Sequence, residues 1–320
     1  MSVLKDPLLS EGLERVRGIM LESVSKAAPF IRESLSSIID SGGKMLRPAL
    51  VLMAGWYTEE HKQSLYTLAA AVEMLHTATL VHDDIIDEAA ARRGQPALHV
   101  TAGSKAAVLV GDYLFARCFG LMDEAVEKES GLNAARVVER ICEGEINQNS
   151  LRYSLDTGMR QYRRRICAKT AALIAASLTL GAQHSSCGEE ETMRFRRIGY
   201  DLGMGFQIID DLLDFEGARG ETGKPVARDL EAGIFTAPVI YALETAGGDE
   251  LRKLLSRPPY DAEALGKAVE IIRKSGGIDA ARQMAADYTA RAEVELAALR
   301  PGKTRELLQG LASELLLRRR

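Results

Sequence analysis

Residues 61–88 read HKQSLYTLAAAVEMLHTATLVHDDIIDE. Leu65, Leu68, Val72, His76 and Thr79 recur at helical spacing and run directly into Asp83 and Asp87. At about 100° per residue the two carboxylates share the face of that stripe, which predicts a helix whose acidic end points into the protein. The same periodicity, punctuated by Gly and Pro, recurs along the chain. It gives helical segments at 8–25, 28–40, 44–57, 103–128, 131–155, 159–182, 190–216, 231–246, 261–276, 278–299 and 303–318. No stretch alternates as a half-buried strand does, and no low-complexity linker divides the chain. The short connections predict an all-α protein, an antiparallel helix bundle, with 1–320 forming one domain.

Composition agrees. Of 320 residues 46% are hydrophobic and 27% charged, aromatics are only 5%, and the nine prolines leave 97–224 free of them, a profile that favours helix. With 41 basic and 45 acidic side chains the net charge is -4, which removes a global electrostatic case for nucleic-acid binding. Any phosphate-handling surface must be local. The longest uncharged, mostly apolar run, Thr170 to Ala182, is shorter than the roughly 18 residues that a bilayer-spanning helix requires, so it reads as a core helix. Residues 1–10 lack a signal-peptide layout, and Cys118, Cys142, Cys167 and Cys187 form no Cys-x-x-Cys pair. Both features predict a cytoplasmic chain with free thiols.

A second acidic cluster, Asp210-Asp211-Leu212-Leu213-Asp214, repeats the form of Asp83-Asp84-Ile85-Ile86-Asp87. Gly199, Gly203, Gln207, Asp210 and Asp214 share one helical face, so these acids are also expected to look inward. Like charges one turn apart cost a helix about 0.2–0.5 kcal/mol even in water, and burying them unpaired costs several kcal/mol more. Two such clusters call for a cation. Hard oxygen donors of this kind suit Mg²⁺, which bridges one or two carboxylates to substrate phosphates while keeping waters. A solvated acidic face is the competing reading of either cluster alone.

Basic groups stand nearby in sequence. Arg92 and Arg93 follow the first cluster, and Gly42-Gly43-Lys44-Met45-Leu46-Arg47-Pro48 sets Lys44 and Arg47 at a helix start, where a cation opposes the helix dipole and is better explained by an anionic ligand. Lys169 and Thr170 interrupt an apolar helix, and Lys224 lies in Gly217–Asp229, which reads as a mobile loop over a site. The runs Arg163–Arg165 and Arg318–Arg320 read as solvated, with at most peripheral membrane contact for the tail.

In this order the motifs resemble the trans-isoprenyl (polyprenyl) diphosphate synthases. The likeness runs from Gly-Gly-Lys-x-x-Arg-Pro at 42–48 through His76, the first aspartate motif with Arg92-Arg93-Gly94, and Gly111-Asp112. It continues through Gly144-Glu145 and Gln148, Lys169-Thr170, Phe206-Gln207 with the second motif, and Gly223-Lys224 leading to Asp229-Leu230. It is greatest for medium- and long-chain, heptaprenyl-type catalytic subunits. The resemblance implies the isoprenoid synthase fold, with the two aspartate motifs facing each other across a deep central cavity. It implies Mg²⁺ held by Asp83 and Asp87 from one motif and Asp210 from the other, with Asp84, Asp211 and Asp214 assisting directly or through water. It assigns the allylic diphosphate to Arg92, Lys169, Thr170, Gln207 and Lys224, and isopentenyl diphosphate to Lys44, Arg47, His76 and Arg93. A homodimer is expected, or a heteromer with a small second subunit.

Chain length also enters through the resemblance. In this family the side chains four and five places before the first aspartate form a floor under the growing chain, and here they are the small Thr79 and Ala78. That favours a longer product, with Phe115 and Phe119 as candidates for a deeper floor. One departure from the pattern is Gly233-Ile234-Phe235-Thr236-Ala237-Pro238, where many members carry a lysine after the glycine; heptaprenyl-type subunits often lack it too. The alternatives are a geranylgeranyl diphosphate synthase, a terpene cyclase, and a noncatalytic partner of a heteromeric synthase. The intact second motif argues against the last two, and Lys44 and Arg47 add to the case against a cyclase.

Overall fold

A computed structural model of the chain describes residues 2–57, 63–125, 138–139, 142–144, 146, 150–185, 187–216 and 227–316. Among these the protein is helical throughout, apart from two two-residue strands, Ala91–Arg92 and Gln95–Pro96, which pair antiparallel. The chain divides into two compact units. The first comprises 1–134, 177–195 and 301–308, and the second 135–176, 196–300 and 309–320.

In the first unit, helix Gln63–Ile86 packs along Ser104–Ala125 and against Leu46–Gly55 and Pro7–Val24. The sequence explains the helix starts. Asp6 caps Pro7–Val24 with Pro7 in its first turn, where the missing N–H costs nothing and φ is already helical. Leu46–Gly55 is buried from Pro48 to Gly55, so it has no solvated face and reads as an unbroken apolar run. Helices 63–86 and 104–125 approach closely at Gly111, where a Cβ would lie 2.2 Å from His82 Nε2.

The second unit has its own core, built on Tyr162, Phe215 and Phe235 with Met204, Ile208 and Ile272. Full burial of a side chain of this size stabilises by about 1.5–3 kcal/mol. Helix Ala237–Leu243 lies against Gly277–Ala297, and Gly248–Leu255 against Ala262–Lys274. The long helix Glu189–Glu216 opens on three glutamates, which suit the positive end of its dipole. The turn Cys167–Ala171 is a π-helix inserted between the helices Met159–Ile166 and Ala172–His184.

Most expected segments appear within a few residues of their expected ends. The expected 231–246 helix instead begins at Ala237, after Gly233 at φ 75° breaks the chain and Pro238 restarts it. Helix Gly248–Leu255 does not show in the spacing, because it is flanked by Gly247 and the Pro258-Pro259 pair and buries only Gly248, Leu251 and Leu255. The strand pair is too short for alternation to show. The expected 131–155 helix lies largely outside the described residues, as does the segment 217–226. Two helices, Gln63–Ile86 and Met159–His184, are long and apolar enough by composition to cross a membrane, but 72% of each apolar window is buried inside the fold, as in a core helix. All four cysteines are free.

A close backbone approach in the second unit generates a test. A Cβ on Gly203 would lie 2.5 Å from the Cα of Ala171, and one on Gly199 would lie 2.6 Å from the Cα of Ala175. Backbone cannot rotate out of the way as a flexible side chain can, so Gly203→Ala should destabilise by about 1–3 kcal/mol. A urea titration followed by circular dichroism should show the lower midpoint; an unchanged midpoint would mean that the helices part without cost.

Candidate active site

The C-terminal half of helix Gln63–Ile86 carries the first aspartate motif. Asp84 is only 6% exposed, whereas Asp83 is half-buried and Asp87 exposed. The expectation that Asp83 and Asp87 share the core-facing side is therefore corrected: the core-facing stripe is Met74, Ala78, Val81 and Asp84, and the more open one is His76, Thr79, Asp83 and Asp87. The helix is buried on nearly every side up to Ala78, so its apolar residues could not tell one face from the other. Arg92 Nε donates to Asp84 Oδ1 at 2.8 Å, and Nη2 donates to the same oxygen. The guanidinium comes from the strand pair, whose register sets Arg92 opposite Gln95 and leaves Arg93 and Gly94 in the turn at φ 53° and 78°. Two successive left-handed residues make the two-residue turn suited to strand twist, with a non-glycine paying about 1–2 kcal/mol of strain at Arg93.

Arg93 presses on the Gly42-Gly43 loop, where a Cβ on Gly43 would lie 2.5 Å from its Nη2. Lys44 is exposed and precedes the helix, which begins at Leu46 behind a left-handed Met45 at φ 49°. It is thus not in a first helical turn, which corrects that part of the reading. Arg47, His76 and Arg93 come together around Glu73, which the sequence reading did not single out. Burial pushes the Glu73 carboxyl up to about 7 against the pull of Arg47 and Arg93. Burial and then the charges of Arg47, Arg93 and Arg92 hold His76 well below the usual histidine range, as a neutral imidazole. Arg47 Nε and Glu73 Oε2 are buried without a hydrogen-bond partner. Buried polar atoms are normally satisfied, so an orphaned guanidinium nitrogen among arginines marks a place for an anionic ligand.

Ala78 is fully buried, and Thr79 is half-buried with its hydroxyl donated to His76 O at 2.8 Å. Phe115 packs on His82 at 5.5 Å between ring centroids, while Phe119 is 39% exposed. A cavity of about 270 Å³ in this unit is lined by Ser37, Thr77, Val81, Asp84, Arg92 and Arg93 among others.

The second unit carries the other motif on helix Glu189–Glu216. Its pattern is the same: the middle acid, Asp211, is 5% exposed, Asp214 is half-buried and Asp210 exposed. Again the outer acids are not core-facing, since Met204, Ile208, Asp211 and Phe215 form the inner stripe. Tyr162 Oη donates to Asp211 Oδ2 at 2.7 Å, Gln207 Nε2 donates to Asp211 Oδ1 at 2.9 Å, and Thr170 Oγ1 donates to Gln207 Oε1 at 2.6 Å. Burial pushes Asp211 up to about 7 despite those bonds. Asp214 accepts from the backbone N–H groups of Arg228 and Asp229 with its two oxygens, both at 3.1 Å.

Asp229 belongs to the motif order but was given no role. Burial and then the charges of Asp214 and Asp210 raise it, Lys169 and Arg165 pull it back, and the balance leaves it pushed up to about 6. Lys169 is exposed and sits in the π turn with buried Thr170; such turns recur at functional sites. Arg165 is not the solvated charge expected of it, because Nη2 donates to Phe235 O at 2.9 Å within the departing segment 233–238. Lys224 and Arg318–Arg320 lie outside the described residues.

The donor set can be tested against a metal. Among the described residues no three His, Cys, Asp or Glu side chains close on one point. Paired carboxylates with open outer members suit a hard ion that keeps waters and takes further oxygens from its substrate, and do not suit a thiolate- or imidazole-bound metal. The residues therefore fit a hard divalent ion of the Mg²⁺ or Ca²⁺ kind.

Comparisons with known proteins agree with this chemistry. The polyprenyl synthetase family profile matches residues 28–272. The chain is 34% identical over 304 residues to heptaprenyl diphosphate synthase component 2 of Bacillus subtilis, covering 95% of this chain and 87% of that protein. A decaprenyl diphosphate synthase structure from Rhodobacter capsulatus superposes with a TM-score of 0.90 at 35% identity, covering 100% of this chain and 99% of that one. A polyprenyl synthase from Caulobacter crescentus, complexed with calcium and isoprenyl diphosphate, gives 0.87 at 32% identity over 99% of this chain and 97% of that one. The protein has the all-α fold of the isoprenyl diphosphate synthases and belongs to the polyprenyl synthetase family of prenyltransferases.

Proposed function

We propose that the chain is a Mg²⁺-dependent all-trans polyprenyl diphosphate synthase, extending an allylic diphosphate with isopentenyl diphosphate to a medium- or long-chain product. The observation that carries this is the repeated motif architecture, in which Asp84 and Asp211 are each anchored inside while Asp83, Asp87 and Asp210 are left more open. In this reading Asp83, Asp87 and Asp210 hold Mg²⁺, and Lys169 and the second Nε2–H of Gln207 meet the allylic diphosphate, with Arg92, Thr170 and Lys224 assigned to the same ligand. Lys44, Arg47, neutral His76 and Arg93 take isopentenyl diphosphate, and the orphaned Arg47 Nε supports that division. Asp84, Asp211 and Asp214 act behind the metal-binding acids.

Bound Mg²⁺ would supply charge stabilisation for the departing diphosphate. The surrounding cations add to it, and a water-excluding site protects the allylic cation. The allylic C–O bond breaks, the alkene of isopentenyl diphosphate forms the new C–C bond, and a proton leaves to the released diphosphate. No protein nucleophile is required. Small Ala78 and Thr79 support a long product. We take 1–320 as one functional domain, because the family match crosses both units, and we place it in the cytoplasm, where its free thiols and water-soluble substrates belong. Val100 and Leu109, 55% and 59% exposed, support docking of a second chain, either another copy or a small dissimilar subunit.

Purified protein given labelled isopentenyl diphosphate, farnesyl diphosphate and Mg²⁺ should yield products longer than 20 carbons on reversed-phase sizing. A product that stops at 20 carbons would instead identify a geranylgeranyl diphosphate synthase. Asp83→Ala and Asp210→Ala should each lower kcat by roughly 100-fold or more with an unchanged circular dichroism melt; full activity in either would remove it from the metal set. Thr79→Phe should shorten the product, and an unchanged length would refute the floor assignment.

A further inference from the structure

Tyr162 and Thr170 are eight residues apart, yet both hydroxyls reach the same neighbouring helix. In an uninterrupted α-helix of 3.6 residues per turn, residues seven apart align, and the eighth is rotated away by about 80°. Thr170 itself falls within the π turn Cys167–Ala171, which begins five residues after Tyr162. A π turn accommodates one extra residue and removes most of that rotation. Thr170 thereby meets Gln207 at 2.6 Å and Tyr162 meets Asp211 at 2.7 Å, while Gln207 and Asp211, one turn apart on their own helix, close the circuit at 2.9 Å.

Three of the four members are buried, Tyr162 at 0% exposed, Asp211 at 5% and Thr170 at 6%, and Gln207 is half-buried. Each member limits the next. With Oε1 accepting from Thr170 and one Nε2 hydrogen given to Asp211, the Gln207 amide is fixed in one orientation. Its second Nε2 hydrogen then has a set direction, and so does the backbone that carries Lys169 beside Thr170.

We propose that Tyr162 is a positioning residue for the second-motif half of the site. Through Asp211 and Gln207 its hydroxyl sets the register in which Lys169, Thr170 and Gln207 present themselves to an allylic diphosphate. This rests on the synthase reading above. Tyr162 touches no substrate, and its effect is confined to the ligand bound by these groups.

The test compares wild type with Tyr162→Phe, which keeps the ring and removes one oxygen. The KM for farnesyl diphosphate and the Mg²⁺ concentration for half-maximal rate should rise roughly tenfold, the usual scale for a hydrogen bond to a charged acceptor. The KM for isopentenyl diphosphate should stay within about twofold. Asp211→Ala removes the acceptor of the same bond and serves the same comparison if Tyr162→Phe fails to fold. The double variant should be no worse than the poorer single one, as for residues acting through one contact. Unchanged constants in Tyr162→Phe, a parallel rise in both KM values, or additive losses in the double variant would each overturn the proposal. A wild-type chain that makes no product refutes the synthase reading itself, whereas an active wild type with an indistinguishable Tyr162→Phe defeats this inference alone.

Discussion

A carboxylate withdrawn from water has to be given something in return, and much of the local structure around both motifs follows from that requirement. Removing one partner from a buried ion pair costs about 3–5 kcal/mol, because the other charge is left stranded. Asp84 is answered by Arg92, which requires the strand pair that delivers it. Asp211 is answered by two neutral donors, Tyr162 and Gln207. Asp211 is pushed up to about 7 by burial, since hydrogen bonds from uncharged groups offset desolvation only in part.

The raised acids set a direction for stability. Glu73 and Asp211 both lie near 7 in the fold, above the ordinary carboxylate range. Their contribution is therefore fully present at low pH and is lost as pH rises from that range through about 7. Near neutrality the isolated fold carries acids that would gain from additional positive charge. Asp229, at about 6 with Lys169 and Arg165 beside it, sits between these cases. The net charge of -4 says nothing of this, because it sums groups whose local environments differ.

What was legible in the sequence was periodic. Helices such as Pro7–Val24 and Glu189–Glu216 declare themselves by spacing and caps, and the grouping of Arg47, His76 and Arg93 follows the motif order. What was not legible depended on the third dimension. The choice between the two acidic faces of helix Gln63–Ile86 was hidden because the helix is buried almost all round before it reaches the acids. Glu73 looked like one more helix residue until Arg47 and Arg93 were seen beside it. The π turn leaves the composition and average spacing of 159–182 unchanged, and shows only as the alignment of residues eight apart.

The Arg92-Arg93 pair shows how little chain can separate two tasks. One arginine lies in a strand and turns to Asp84, and the next, at the first left-handed position of the turn, lies over Gly43 near Arg47 and Glu73. Identical side chains are sorted by backbone conformation alone. The hairpin therefore acts as a charge distributor, and its addressing depends on length: a one-residue shift between the aspartate motif and the turn would move one guanidinium into the other's place and carry the second away from both anions, while leaving composition, net charge and helix content almost untouched. A comparison of relatives that counted only arginines would miss such a shift, whereas one that counted residues between the aspartate motif and the glycine of the turn would detect it.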